Sequence, residues 1–128
     1  MKLLLDTCTF LWIASRSDRV SRSAREAFLD PENERYLSAT SAWEIAIKYA
    51  LGKLTLPARP EIYIPMIRER SGIDSLPLDE ESAVHTSRLP NLHADPFDRI
   101  LVAQAIVHGM VILTPDPAIT QYPARTRW

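Results

Sequence analysis

The sequence predicts an α/β protein of three layers, with helices on both faces of a mostly parallel central sheet. Two observations carry this reading. Segments with strand character alternate with segments of helical character along the chain, which is the trace that β-α-β units leave. The two clearest strand segments, Lys2–Leu5 and Met110–Leu113, are apolar almost without interruption, as strands covered on both faces must be. A length of 128 residues, 46% of them hydrophobic, supplies one core and not two, so residues 1–128 are read as a single domain.

The elements follow in order. Lys2–Leu5 is a strand ending at Asp6. Thr9–Ser15 is a short helix with Phe10, Trp12 and Ile13 as its apolar bulk. Ser21 or Ser23 caps a second helix to about Leu29, stopped by Asp30-Pro31. Arg35–Ser38 is a short strand. Ser41–Leu51 is a third helix, closed by Gly52. Pro60–Ser71 is helical, with Pro65 expected to kink it. Ile73–Leu78 is a weaker strand, and Asp79 caps a helix from Glu80 to about Arg88. Leu89–Ala94 is a loop. Asp95-Pro96 opens a strong helix, Phe97–His108, and Gly109 ends it. After the strand Met110–Leu113, Thr114-Pro115-Asp116-Pro117 is a turn, and Tyr122–Trp128 is a tail with Arg125 and Arg127 but no acid.

Composition excludes several classes. Charged residues make up 24%, the ordinary proportion of folded domains, so wholesale disorder is out. The net charge is −1; any basic surface for nucleic acid must therefore be local. Arg16, Arg19, Arg22 and Arg25 recur every three residues and read either as a phosphate-binding patch or as a solvated helix face. The single cysteine, Cys8, rules out an intramolecular disulfide and a cysteine-based zinc site. A reducing, cytoplasmic setting is expected. The N-terminal apolar run is broken by Asp6, short of the roughly 7–15 residues of a signal-peptide core. No stretch approaches the ~20 apolar residues of a membrane span.

The chemistry is sought in the acids. Asp6 and Asp116 each lie just past an apolar strand, where α/β folds place their ligands; equally, Asp6 can cap the next helix and Asp116 can serve the turn between Pro115 and Pro117. Glu44 sits on a helix that is apolar on nearly every side, with a narrow polar stripe of Ser41, Glu44 and Lys48. It reads as a surface pair with Lys48 or as a group facing a cleft or subunit boundary. Asp95 and Asp98, three residues apart on one helix face, repel one another, and a bound cation would relieve that. Both positions also suit an acid near a helix N-terminus. As a set, these acids can converge on Mg2+ or Mn2+, which prefer oxygen ligands. Such ions serve phosphodiester hydrolysis without a Ser–His or Cys–His pair. The histidines His85, His93 and His108 have no metal spacing; His93, two residues before Asp95, falls nearest the acids.

The matching stretches are Leu3-Leu4-Leu5-Asp6-Thr7, Leu11-Trp12, Ser41-Ala42-Trp43-Glu44-Ile45-Ala46-Ile47-Lys48, Leu51-Gly52-Lys53-Leu54, His93-Ala94-Asp95-Pro96-Phe97-Asp98-Arg99-Ile100 and Ile112-Leu113-Thr114-Pro115-Asp116-Pro117. Together they give a chain that resembles the PIN-domain nucleases, and specifically the VapC-type toxins of type II toxin–antitoxin systems. The resemblance implies a parallel-sheet PIN-like fold and an endoribonuclease using Mg2+ or Mn2+. Its catalytic and metal-binding quartet maps onto Asp6, Glu44, Asp98 and Asp116, with Asp95, Thr7 and Thr114 supporting. It further implies a homodimer and a cognate antitoxin whose tail lies in an apolar groove and occludes the acids. This chain departs from its relatives in carrying Cys8 where they usually carry His.

Two other classes are weighed. A phosphatase using Asp6 as nucleophile would want a second Asp two residues on, and Cys8 stands there. A PIN-like module that binds RNA or a partner without cutting is the alternative, and the presence of all four acids speaks against it.

Overall fold

The computed structural model describes residues 1–128. Five parallel strands, β1 (Lys2–Leu5), β2 (Glu34–Ser38), β3 (Asp74–Leu76), β4 (Val111–Leu113) and β5 (Thr126–Arg127), form one sheet in the order β3-β2-β1-β4-β5. Seven helices surround it: α1 (Thr7–Ala14), α2 (Arg22–Leu29), α3 (Ala39–Ala50), α4 (Pro60–Ser71), α5 (Glu80–His85), α6 (Pro96–His108) and α7 (Pro117–Thr120). A 3-10 turn, Thr86–Arg88, extends α5.

The three layers follow from the period-two geometry of strands. Leu3 and Leu5 of β1 enter one apolar cluster, with Phe10, Phe28, Ile45 and Ile67. Leu4, between them, enters the other, with Leu101, Val102, Ile112 and Ile119. The neighbouring strand β4 divides in the same way, Val111 and Leu113 to one side and Ile112 to the other. Truncating any of these leucines to Ala would cost about 2–5 kcal/mol.

Local chemistry sets the helix ends. Asp6, Ser21, Ser38, Asp79, Asp95 and Asp116 all cap helices through their side chains. Capping by Asp6 and Ser38 starts α1 and α3 two residues earlier than the apolar pattern alone suggests. Gly72 and Gly109 close α4 and α6 at φ 65, in the left-handed region. Helix α4 continues through Pro65; the carbonyl that the missing N–H leaves free is that of Glu61, an exposed residue. Two elements go beyond the sequence expectation. The Thr114–Pro117 turn runs into α7, and the tail adds β5 to the sheet edge. The arginine series shares no helix face: Arg16 and Arg19 precede α2, while Arg22 pairs with Glu26 in solvent.

Strand order fixes where a site can form. The chain moves from β1 outward through β2 and β3, then returns to the opposite side of β1 as β4. The reversal lies between β1 and β4, and the crevice beyond their carboxyl ends is where such sheets bind ligands.

Candidate active site

Asp6 is the first residue beyond β1 and is 4% exposed. Its Oδ1 accepts the Thr9 backbone N–H at 2.7 Å, and its Oδ2 accepts the Thr114 hydroxyl. Leu5 pairs with Leu113 in the sheet register, so the next residues, Asp6 and Thr114, emerge side by side. The Thr114 oxygen in turn accepts the Asp116 N–H at 3.0 Å. Burial raises the Asp6 carboxyl above its ordinary value, the Thr114 and Thr9 bonds oppose it, and the charge of Asp116 adds to it.

Glu44 projects from the first half of α3 and is 6% exposed. One oxygen accepts the Thr7 hydroxyl at 2.7 Å and the other the Lys48 ammonium at 2.6 Å. The surface-pair reading of Glu44 and Lys48 is thus half right: the pair exists, but the carboxylate end is buried and tied to α1. The bond to Glu44 raises the Lys48 ammonium above its usual value.

Asp98 lies in the first turn of α6. Asp95 caps this helix, its Oδ1 accepting the N–H groups of Phe97 (2.9 Å) and Asp98 (3.3 Å). The Asp98 carboxyl is pushed up to about 6, first by burial and then by the charges of Asp95 and Asp116, against a bond from His93. That bond is the end of a relay. Arg99 Nη1 donates to the Tyr122 hydroxyl at 2.9 Å, so the tyrosine proton is free to point at His93 Nδ1, 2.7 Å away. This leaves the histidine proton on Nε2, directed at Asp98 Oδ2 across 3.2 Å. Arg99 is itself anchored on the carbonyls of Pro90 and Thr86.

Charge links several of these groups. Asp116 acts on both Asp6 and Asp98, and the Cys8 thiol, raised by partial burial, also responds to Asp6, Glu44 and Asp116. Convergence stops short of a closed ligand set. No three acid, histidine or cysteine side chains stand in metal-binding geometry. Each acid instead turns its oxygens to a hydroxyl, an N–H or Lys48, the arrangement that like charges adopt among nearby donors. The donor chemistry nevertheless fits a hard divalent cation: the four acids offer oxygen only, and two of them, Asp6 and Asp98, are raised by burial and by the charge of Asp116. Sharing an ion requires side-chain rotation, with Glu44 releasing one of its partners.

Asp95 caps α6 as its position leads one to expect, whereas Asp116, read as a turn former, caps α7; both add charge to the site. Tyr122 and its linkage through His93 to Asp98 are the parts that sequence reasoning missed. The nearness of His93 to Asp95 and Asp98 along the chain is the signal that points toward it. Arg125 and Arg127 stand on and beside β5, where Arg125 approaches the Gly109 carbonyl at 3.4 Å.

Comparison with known proteins gives concordant results. A curated relative, Ribonuclease VapC16 of Mycobacterium tuberculosis, is 45% identical over 56 residues, 44% of this chain; the match spans only 40% of that protein's length. Among solved structures, a chain of VapBC2 from Rickettsia felis, bound to a promoter DNA fragment, superposes with a TM-score of 0.73 at 13% identity, covering 99% of this chain and 98% of that one. A chain of VapBC-1 from nontypeable Haemophilus influenzae gives 0.62 at 19%, covering 99% and 97%. FitAcB from Neisseria gonorrhoeae gives 0.60 at 18%, covering 97% and 95%. At these identities the likeness is one of fold. The family model described as PIN domain matches residues 3–124, and the chain belongs to the PIN-domain family.

Proposed function

We propose that this protein is a metal-dependent endoribonuclease, the toxin of a toxin–antitoxin pair, with Asp6, Glu44, Asp98 and Asp116 as the acids that hold Mg2+ or Mn2+. One observation supports the reading: Asp6, just past β1, and Asp98, in the first turn of α6, are both raised by burial and by the charge of Asp116, Asp98 to about 6. Apart from Lys48 at Glu44, no lysine or arginine forms a salt bridge with these acids. A divalent cation there would offset charge on a scissile phosphate and acidify water near neutral pH. The chain's residues supply the rest. Thr114 and Thr9 orient Asp6, the Tyr122–His93 relay orients Asp98, and Thr7 orients Glu44. Thr7, Thr114 and Asp95 are thus supporting groups.

The name of the curated relative supports the ribonuclease assignment, and neighbours solved as VapBC and FitAcB assemblies support an antitoxin partner. That partner would lie in the apolar groove of about 770 Å3 lined by Leu11, Trp12, Leu54, Leu56, Tyr63 and Met66. A homodimer and a cytoplasmic location complete the proposal; no helix is long and apolar enough to cross a membrane.

The test uses the purified chain, RNA and Mg2+ or Mn2+. Cleavage should vanish with EDTA and in Asp6→Asn and Asp98→Asn. Cleavage that persists in both variants, or that ignores EDTA, overturns the scheme. RNA binding by the parent protein without product would select the non-catalytic module instead.

A further inference from the structure

The chain has three tryptophans, and two of them are tied into the core. Trp12 and Trp128 meet edge to face, 5.8 Å between centroids, and pack on the larger apolar cluster. Trp43 belongs to neither cluster and is 58% exposed. Its aromatic contact is Phe97, with centroids 5.2 Å apart and planes at 72°. Phe97 is half-buried and also lies outside both clusters. The pair joins α3 to the first turn of α6. Each ring is the sequence neighbour of a site acid, Trp43 of Glu44 and Phe97 of Asp98. One turn beyond Glu44, Lys48 adds an ammonium to the same rim.

The other strongly exposed apolar side chains, such as Leu29, Leu51, Ile62 and Val84, are aliphatic and are ordinary surface residues. Trp43 differs in being flat, braced and set beside the acids. A braced aromatic surface suits stacking, because little side-chain freedom is lost when a second ring is laid on it.

We propose that Trp43, braced by Phe97, is the stacking platform for an unpaired nucleobase of the RNA, with Lys48 facing that strand's phosphates. The proposal rests on the ribonuclease reading and assigns one residue to the contact with an unpaired base; a base inside a duplex has no free face to offer it. It also answers an electrostatic difficulty. The acids repel a phosphate backbone, whereas attraction between a neutral base and a π face does not depend on net charge. A second copy of the chain is the rival occupant, because exposed aromatics also suit protein interfaces. Seated on Trp43, it would crowd the acids that RNA must reach.

The experiment is a double-mutant cycle between protein and RNA. Unpaired eight-nucleotide RNAs, intact or with one abasic residue moved through every position, are titrated with Mg2+ present. The proteins are the cleavage-silenced Asp98→Asn chain and the same chain with Trp43→Ala or Trp43→Phe. At one position the abasic residue should weaken binding about 5- to 150-fold, the range of single stacking contacts. Trp43→Ala should weaken intact RNA by a similar factor and abolish sensitivity at that position; Trp43→Phe should retain part of both. Losses that multiply independently, or no sensitive position, overturn the platform. So does a Trp43→Ala variant that dissociates in sedimentation while binding RNA unchanged per protomer. Cleavage by the parent chain with Mn2+ is followed in parallel: its absence sinks the ribonuclease reading, whereas a failed cycle with cleavage intact sinks only the platform.

Discussion

Replacing Asp98 with Asn removes one charge and keeps the shape, so it measures what the folded protein forgoes by ionising this group. The carboxyl rises from its ordinary 3.8 to about 6 on folding, and its side chain is only 18% exposed, so solvent screening is limited. At about 1.36 kcal/mol per pH unit, the rise corresponds to about 3 kcal/mol. The acid also gains from its place in the first turn of α6, by about 0.3–1 kcal/mol, which the variant forfeits. The net expectation is that Asp98→Asn is more stable by about 2 kcal/mol at pH 7.5 in EDTA. With about 2.1 cal/mol/K of unfolding entropy per residue over 128 residues, that is a rise in Tm of about 7 °C.

The sign fixes the pH window. Below 3.8 the carboxyl is protonated in both folded and unfolded chains, and the two proteins should melt alike. Between 3.8 and about 6 the folded state holds the Asp98 proton longer, so the parent loses stability relative to the variant as pH rises, while the loss from Asp6 is common to both. Above about 6 the difference is constant. Calorimetric melting from pH 3.5 to 8, repeated in a His93→Gln background to remove the ring's contribution, reads this directly. Addition of Mn2+ at pH 7.5 should then raise the parent's Tm and leave the variant's nearly unchanged. A variant less stable than the parent at pH 7.5, or one whose gain persists at pH 3.5, would refute the reasoning.

Thr114→Val keeps the volume but leaves Asp6 Oδ2 and the Asp116 N–H without their partner; it should lower stability by about 1.5–3 kcal/mol in urea titrations at pH 7 and raise the Asp6 carboxyl further. Tyr122→Phe breaks the relay that aims His93 at Asp98; Mn2+ affinity by calorimetry or the rate of RNA cleavage per folded molecule should fall about 10- to 100-fold, with a stability loss of about 1–3 kcal/mol from the unpartnered ring nitrogen. Gln104 is wholly buried, accepting from Ser38 at 2.6 Å and donating to the Pro77 carbonyl at 3.2 Å. Gln104→Ala should therefore cost about 2–4 kcal/mol by thermal melting while cleavage per folded molecule survives, which separates structural polar groups from those of the site.

What the sequence discloses is whatever one segment decides alone. The run Leu3-Leu4-Leu5 and the run Val111-Ile112-Leu113 declare buried parallel strands, and Asp95-Pro96 declares the start of α6, because burial and capping act within a few residues. The two-residue β5 and four-residue α7 lie below the length at which any period can be read. The bonds that shape the site are less legible still: Thr114 reaches Asp6 across 108 positions, and Tyr122 reaches His93 across 29. No spacing rule encodes such contacts; the sheet register does. Because Leu5 stands opposite Leu113, the residues that follow these two strand ends, Asp6 and Thr114, leave the sheet together. A slip of one residue in β4 would send Val111 and Leu113 to the wrong apolar layer and turn Thr114 away from Asp6 at the same stroke. The apolar alternation that stabilises the sheet is therefore also what aligns the acid with its hydroxyl partner, and the site inherits its geometry from the core.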